Sequence, residues 1–518
     1  MIAAKRFAGC MLAVCTLLPF ALSAQAPNAG SEQSKESTKE STPVPPEKPV
    51  ATHHEITLDG KVLKYTATAG NLIIRDEEDK PYGSMFYVAY TLDGAEPGTR
   101  PVSFLYNGGP GSATLWLHMG SFGPMRVLTD SPKATAGPPF KLVPNQYSLL
   151  DKTDLVFIDA PLTGYSRAVG KGVAKDFTGV DQDLRAFDRF IIRYLTVNQR
   201  WNSPKFLIGE SYGTTRSAAL ADMLGNNGVQ LNGVVLISSI LNYNIRAGGY
   251  DNIYVFNLPS YAAAAWYFNK IPNKPADVAA WVQQAREFAS GPYAQALFAG
   301  DNLPADKLDE VAKQVSHFTG LSVDYIKEAN LRISPVRFRK EVLRDDRKTL
   351  GRYDMRFEGV DVDAAGEMPS YDASDTGITG AYVATLEDYL ERELKYESTD
   401  AYRPSAETIG QWDWKHKPTS GGSGFGSREQ SEPYVAADLA SAIRKNPHLH
   451  VFSANGYFDL ATPFFATEFD LDHMQLDPAL RGNVQFGYYP SGHMIYLNVD
   501  ALRKLKGDLA AFITNATK

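Results

Sequence analysis

Short apolar runs recur at both ends of this chain, and most show no alternation of polar and apolar positions. They are residues 101–106, 154–158, 205–208 and 233–238 in the first half, and 449–453 and 484–488 near the C-terminus. A strand that is apolar on both faces is buried on both faces, as in a parallel sheet covered by helices. Helical periodicity lies between the runs. Leu184, Phe187, Phe190, Ile191 and Tyr194 share one face over 181–194, Ala219, Ala221 and Met223 suit a helix over 214–224, and 501–513 closes the chain as a helix. Residues 62–67, 71–74 and 84–90 read as an antiparallel opening to the same sheet, with Gly60 and Gly70 as turns. The alternation breaks from 241 to 434, where helical stretches over 276–288 and 385–394, an aromatic-rich stretch over 250–268 and a Gly/Ser loop over 421–427 follow one another. The pattern predicts an α/β fold with a mostly parallel sheet, built from 51–240 and 435–518, and a mostly helical cap inserted over 241–434. Most of the cap aromatics are expected in its core, with some free to line a cleft.

The first 50 residues fit neither part. Lys5 and Arg6 precede an apolar stretch over 7–22, and small residues follow at Ser23, Ala24 and Ala26. This is the pattern of a secretory signal peptide over 1–24, and it predicts an exported protein, periplasmic or secreted, with no stable membrane insertion after cleavage. Residues 25–50, rich in Ser, Glu, Lys, Thr and Pro, read as a disordered linker, because they carry too little apolar surface to offset the entropy of ordering. Both cysteines, Cys10 and Cys15, fall in the signal segment, so the mature chain is expected to have no disulfide or thiol site. That absence suits a bacterial envelope better than a eukaryotic secretory route. A formal net charge of −7 argues against a nucleic-acid partner. Oligomeric state leaves no mark in the sequence.

The chemistry gathers where strands end. Gly209-Glu210-Ser211-Tyr212-Gly213 stands between an apolar strand and a helix, the setting in which Gly-x-Ser-x-Gly lifts a serine above the sheet on a sharp turn. A serine hydroxyl needs a base to take its proton and an acid to orient that base. Asp459 and His493 each follow a predicted strand, in the chain order Ser, Asp, His that elbow-type hydrolases use. Glu468 and Asp470 are nearby acids, but they lie a loop further on. Asn107-Gly108-Gly109-Pro110-Gly111 follows another strand, and such a glycine loop supplies backbone N–H groups to an oxyanion. Gly109 and Tyr212 are the candidate donors. No His-Glu-x-x-His or similar spacing points to a metal, and no cofactor is expected.

These stretches resemble the serine carboxypeptidase family, a branch of the α/β-hydrolases also called peptidase family S10. Phe86-Tyr87, the Asn107–Gly111 loop, Phe122-Gly123-Pro124, Asp159-Ala160-Pro161, Gly164-Tyr165-Ser166, the elbow, Asp459 and Gly492-His493-Met494 occur in the family's order. The resemblance covers about 80–240 and 445–515, and it reaches the cap only in position and size. It implies an α/β-hydrolase fold and a metal-free peptidase that removes C-terminal residues from peptides or proteins. It also implies that Ser211, Asp459 and His493 form the triad, and that Asn107, Glu210 and the Gly108 N–H hold the substrate's terminal carboxylate. Glu210 would have to be protonated to do so. Two positions depart from the pattern. Ser121 stands where the family carries a second glutamate that shares a proton with the first, and Ser112 stands where a disulfide cysteine is common. An esterase, acyltransferase or aminopeptidase on the same framework, or a peptide-binding module without turnover, is the competing expectation.

Overall fold

The computed structural model describes residues 41–406, 410–419 and 428–518. The expected signal segment, both cysteines and the Gly/Ser loop over 421–427 lie outside the described residues. The main sheet is led by β1 (Val50–Leu58), β2 (Lys61–Arg75), β3 (Pro81–Leu92) and β4 (Val102–Tyr106). It continues with β5 (Asp154–Ile158), β6 (Lys205–Glu210), β7 (Gly233–Ile237), β8 (His450–Gly456) and β9 (Val484–Tyr489). Its spatial order is β1-β2-β3-β5-β4-β6-β7-β8-β9, with the short strand Arg167–Ala168 also paired to β3. The first three strands are antiparallel, β3 pairs antiparallel with β5, and from β5 to β9 every pairing is parallel. Helices cover both faces, as an α/β-hydrolase requires.

Alternate side chains of the central strands feed two cores. Leu105, Phe157, Phe206, Ile208, Val235 and Ile237 point to the side of the closing helix, Val499–Ala516. Phe104, Val156, Leu207, Val234 and Leu236 point to the side of α1 (Val180–Val197) and α2 (Tyr212–Asn226). In α1 the face predicted from periodicity is the buried one. The region between β7 and β8 holds helices Asn252–Tyr267, Val278–Phe288, Ala305–Thr319 and Thr379–Arg392, with a core of its own around Trp281, Phe288 and Phe318. That core extends to Tyr457, Phe458 and Leu460, in the loop after β8.

Two expectations need correction. Gly70 is not a turn: β2 runs through it, with Gly70 opposite Tyr87. A Cβ there would strike Pro49, so the glycine serves a close approach of backbone to backbone. The linker expected up to residue 50 also ends earlier. Val50 begins β1, the Gly170 N–H donates to the Thr42 carbonyl at 2.8 Å, and Glu47 accepts from the Ile73 N–H at 2.6 Å and pairs with Arg193 at 2.6 Å. Backbone and ionic bonds hold this stretch, and an apolar count does not register them.

Candidate active site

β6 ends at Glu210, and the chain turns sharply into α2 at Ser211. Ser211 has φ 60° and ψ −129°, a conformation that side chains other than glycine adopt only under constraint. The constraint is local: the Ser211 N–H donates to the Ile237 carbonyl at 3.0 Å, and the Thr214 N–H and hydroxyl donate to the Ser211 carbonyl. The Asn107–Gly111 loop, at the end of neighbouring β4, presses on this turn. A Cβ on Gly108 would collide with the backbone nitrogens of Tyr212 and Gly213, and Gly109 has φ 101°. Tyr212 is the first residue of α2, so its N–H has no intrahelical carbonyl to bind. Arg216 ties the two loops together. Its fully buried guanidinium forms a two-pronged ion pair with Asp183 of α1 at 2.7 and 2.9 Å and donates to the Asn107 carbonyl at 2.9 Å.

The loops after β8 and β9 bring Asp459 and His493 together. His493 Nδ1 lies 2.7 Å from Asp459 Oδ2. Asp459 Oδ1 accepts from the Ala461 and Thr462 N–H groups at 2.8 and 3.0 Å. The Thr462 hydroxyl lies 2.7 Å from Asp459 Oδ2 and 3.0 Å from the Ser238 carbonyl, and can donate its proton to either. Burial lowers the His493 pKa, but the charge and hydrogen bond of Asp459 outweigh it, and the net shift is upward. His493 Nε2 is buried without a hydrogen-bond partner among the described residues. The other two acids are engaged elsewhere: Glu468 pairs with Arg286 at 2.5 Å, and Asp470 accepts from Asn242 at 3.2 Å.

Glu210 sits beside this pair in a different environment. Its Oε1 accepts from Asn107 Nδ2 at 2.7 Å and from the Tyr496 hydroxyl at 3.3 Å, while Oε2 is buried with no hydrogen-bond partner among the described residues. Burial pushes its pKa up to about 7, against smaller downward pulls from His493, Tyr496 and Asn107. The Ser121 hydroxyl donates to the Leu117 carbonyl in its own helical turn. Tyr496, three residues after His493, is the hydroxyl that reaches Glu210, and the sequence motifs gave no sign of it.

A cleft of about 540 Å³ opens over these groups. Asn107, Gly108, Gly109, Glu210, Ser211, Tyr212 and His493 all line it, whereas Asp459 lies behind His493. None of the aromatics over 250–268 reaches it. Besides Tyr212, its aromatic walls are Trp116, Tyr243, Tyr353 and Trp414, which no sequence motif marks. Tyr353 belongs to a cap segment that clamps the site: its carbonyl accepts from the His493 N–H at 2.6 Å, and the Arg352 carbonyl accepts from the Leu460 N–H at 3.1 Å. The arrangement sets a serine at a helix N-terminus, the Gly109 and Tyr212 backbone, a histidine held by a buried aspartate and a buried carboxyl around one cleft. Those are the parts of acyl transfer.

The chain shares 31% identity over 156 residues with the pheromone-processing carboxypeptidase KEX1 of Saccharomyces cerevisiae, which is 28% of this chain and 20% of that protein. It shares 25% identity over 152 residues with serine carboxypeptidase-like 33 of Arabidopsis thaliana, which is 27% of this chain and 28% of that protein. The matched segments therefore span less than a third of these relatives' own length. The crystal structure of KEX1(delta)p, a prohormone-processing carboxypeptidase from Saccharomyces cerevisiae, superposes over 87% of this chain and 91% of its own, with a TM-score of 0.52 at 16% identity, and so shares the fold. The serine carboxypeptidase family model matches residues 60–329, more than half of the chain, and the chain belongs to the serine carboxypeptidase family.

Proposed function

We propose that this protein is a serine carboxypeptidase that releases C-terminal residues from peptides through an acyl-enzyme. Ser211 Oγ attacks the carbonyl carbon of the last peptide bond and passes its proton to His493 Nε2. The Gly109 and Tyr212 N–H groups hold the negative oxygen that forms. Collapse breaks the C–N bond, and His493 returns the proton to the leaving amine. Water repeats the sequence in reverse, giving the shortened peptide and free Ser211. Asp459 orients His493 and stabilises its cationic form without taking its proton.

The observation that carries the C-terminal preference is Glu210. It is a buried carboxyl with a raised pKa and an oxygen without a hydrogen-bond partner among the described residues, on the wall of the cleft that holds Ser211. Protonated Glu210, the Asn107 amide and the Gly108 N–H together offer donors to a terminal carboxylate. An N-terminal pattern typical of export suits action on peptides outside the cytoplasm. The test is a panel of blocked peptides with free or amidated C-termini, alongside fluorophosphonate labelling of Ser211. Cleavage of the free acids alone is the expected result. Equal cleavage of the amides would move an esterase or endopeptidase reading ahead, and absence of labelling would leave a binding module.

A further inference from the structure

The cleft continues past Thr462 into a side pocket of about 240 Å³, walled largely by Ile240, Ile245, Pro335, Leu460 and Ala461. Arg246 and Arg352 line both spaces, so they stand where one opens into the other. Elsewhere in the cap, buried or half-buried guanidinium groups are paired, among them Arg332 with Asp251 at 2.7 Å, Arg286 with Glu468 at 2.5 Å and Arg356 with Asp354 at 2.5 Å. Among the described residues, Arg246 and Arg352 have no carboxylate within 4.0 Å. Arg246 donates to the Ala461 carbonyl at 3.2 Å and lies 5.7 Å from the Tyr243 ring centre. Arg352 lies 5.3 Å from the Tyr353 ring centre, and Asp372, which accepts its backbone N–H, lies 3.9 Å from Arg339.

Two unpaired cations facing one opening make a field that an anion would satisfy. They lie close enough to feel each other, and Arg246 keeps an exposed surface toward solvent at the mouth of the pocket. The pocket's own acid, Asp470, is pushed up to about 7 by burial, so at neutral pH it is far from fully charged. Ser239, also in the wall, has a buried hydroxyl with no hydrogen-bond partner among the described residues.

The sheet fixes which part of a substrate reaches this pocket. Asn107 follows β4, Ser211 follows β6, Ile240 follows β7, and Ala461 and Thr462 follow β8. The order β4-β6-β7-β8 puts the Asn107 and Gly108 donors on the β4 side of Ser211, with Glu210 at the end of β6 bonded to Asn107, and the side pocket on the β7–β8 side. We infer that the side pocket receives the side chain of the residue preceding the scissile bond, and that Arg246 and Arg352 select an acidic one, aspartate or glutamate. This rests on the carboxypeptidase reading above.

The test compares N-blocked Glu-Phe, Gln-Phe and Leu-Phe. A charge-assisted hydrogen bond contributes on the order of 1.5–3 kcal/mol, so kcat/KM for Glu-Phe should exceed that for Gln-Phe by about 10- to 100-fold. The preference should shrink with added salt. In Arg246→Gln with Arg352→Gln the ratio should fall to about one, while Gln-Phe is still cleaved. Using the ratio cancels any effect of Arg352 on His493. A wild-type ratio near one, or a ratio that survives the double substitution, overturns the inference. If no peptide with a free C-terminus is cleaved, the carboxypeptidase reading fails instead. The dissociation constants of the same peptides on Ser211→Ala then decide this one, by the same Glu-to-Gln ratio.

Discussion

Two buried carboxyl groups lie near the same cleft, Glu210 in its wall and Asp459 behind His493, and are built in opposite ways. Asp459 has both oxygens engaged, by two backbone N–H groups, a histidine and a threonine hydroxyl. Glu210 has one oxygen held by an amide and a phenol, and the other has no hydrogen-bond partner among the described residues. Many donors stabilise the anion, whereas burial with few donors favours the proton. One backbone scaffold therefore supplies both a fully hydrogen-bonded carboxyl and a titratable one, and the choice between them depends on how many N–H groups the loop directs inward.

The largest expected effect removes what both corners serve. Ser211→Ala should cut turnover by on the order of 10⁴-fold or more on peptides and esters alike, with the circular-dichroism spectrum unchanged. Retention of more than a few percent of the wild-type rate in pure protein would remove Ser211 from its role.

Next comes the Asp459 corner. Asp459→Asn should lower kcat by about 10³- to 10⁴-fold on both substrate types, because the amide no longer fixes the imidazole's orientation or its charge. Asp470→Asn, whose oxygen meets only Asn242, should stay within a few-fold. The reverse ranking, read from the two kcat values, would mean that the wrong acid has been assigned.

The titratable corner predicts a smaller, substrate-dependent effect. Glu210 is protonated below about 7 and loses its proton as pH rises through that value, so peptide KM should climb there. His493 must be neutral to act as a base, and its raised pKa removes activity as pH falls. Peptide kcat/KM should therefore form a narrow bell near neutrality, while an ester lacking a terminal carboxylate should rise to a plateau. Glu210→Gln keeps a neutral donor and should flatten the alkaline limb for peptides by about 10-fold in KM. Superimposable wild-type and variant profiles would end the carboxylate-holding role.

The smallest effect on turnover lies behind the cleft. His416 bridges Asp181 at 2.7 Å and Asp438 at 3.2 Å, and it anchors the strip whose Trp412 and Trp414 pack edge-on against Tyr212. Burial lowers its pKa, but the two aspartates outweigh burial and raise it to about 9. A histidine pKa above the unfolded value of about 6.5 adds stability that is complete below 6.5 and is lost as pH rises through about 9. His416→Gln should thus cost about 1–3 kcal/mol at pH 6 and converge with wild type above pH 9 in thermal melts. A pH-independent difference would mean that the bridge contributes packing alone.

The contrast between the two corners also marks what the sequence could reveal. Asp459 and His493 follow strands, and Ser211 sits between a strand and a helix, so local pattern and chain order point to the very residues that the fold brings together. The serine's strained turn needs small neighbours on both sides, and that requirement is written in the glycines. Tyr496, Thr462 and the cap wall of Tyr353, Trp414 and Arg352 carry no such local requirement. Their places follow from tertiary packing, and no periodicity encodes which side of a helix or loop will face a cleft. The order in segment 41–50 escapes its composition for a related reason, since its anchors are single long-range bonds such as Glu47 to Arg193.

Arg216 carries a further consequence. It joins α1, the elbow helix and the Asn107 loop through one buried charge network, and it stacks 4.0 Å from the Phe187 ring centre. Separating α1 from the elbow helix would leave bare charges in the interior, and freeing the Asn107 loop would leave a buried guanidinium N–H without its acceptor, so each loosening is costly. On heating, the nucleophile's setting should therefore persist until the surrounding layer melts, and thermal inactivation should coincide in time with loss of the fold.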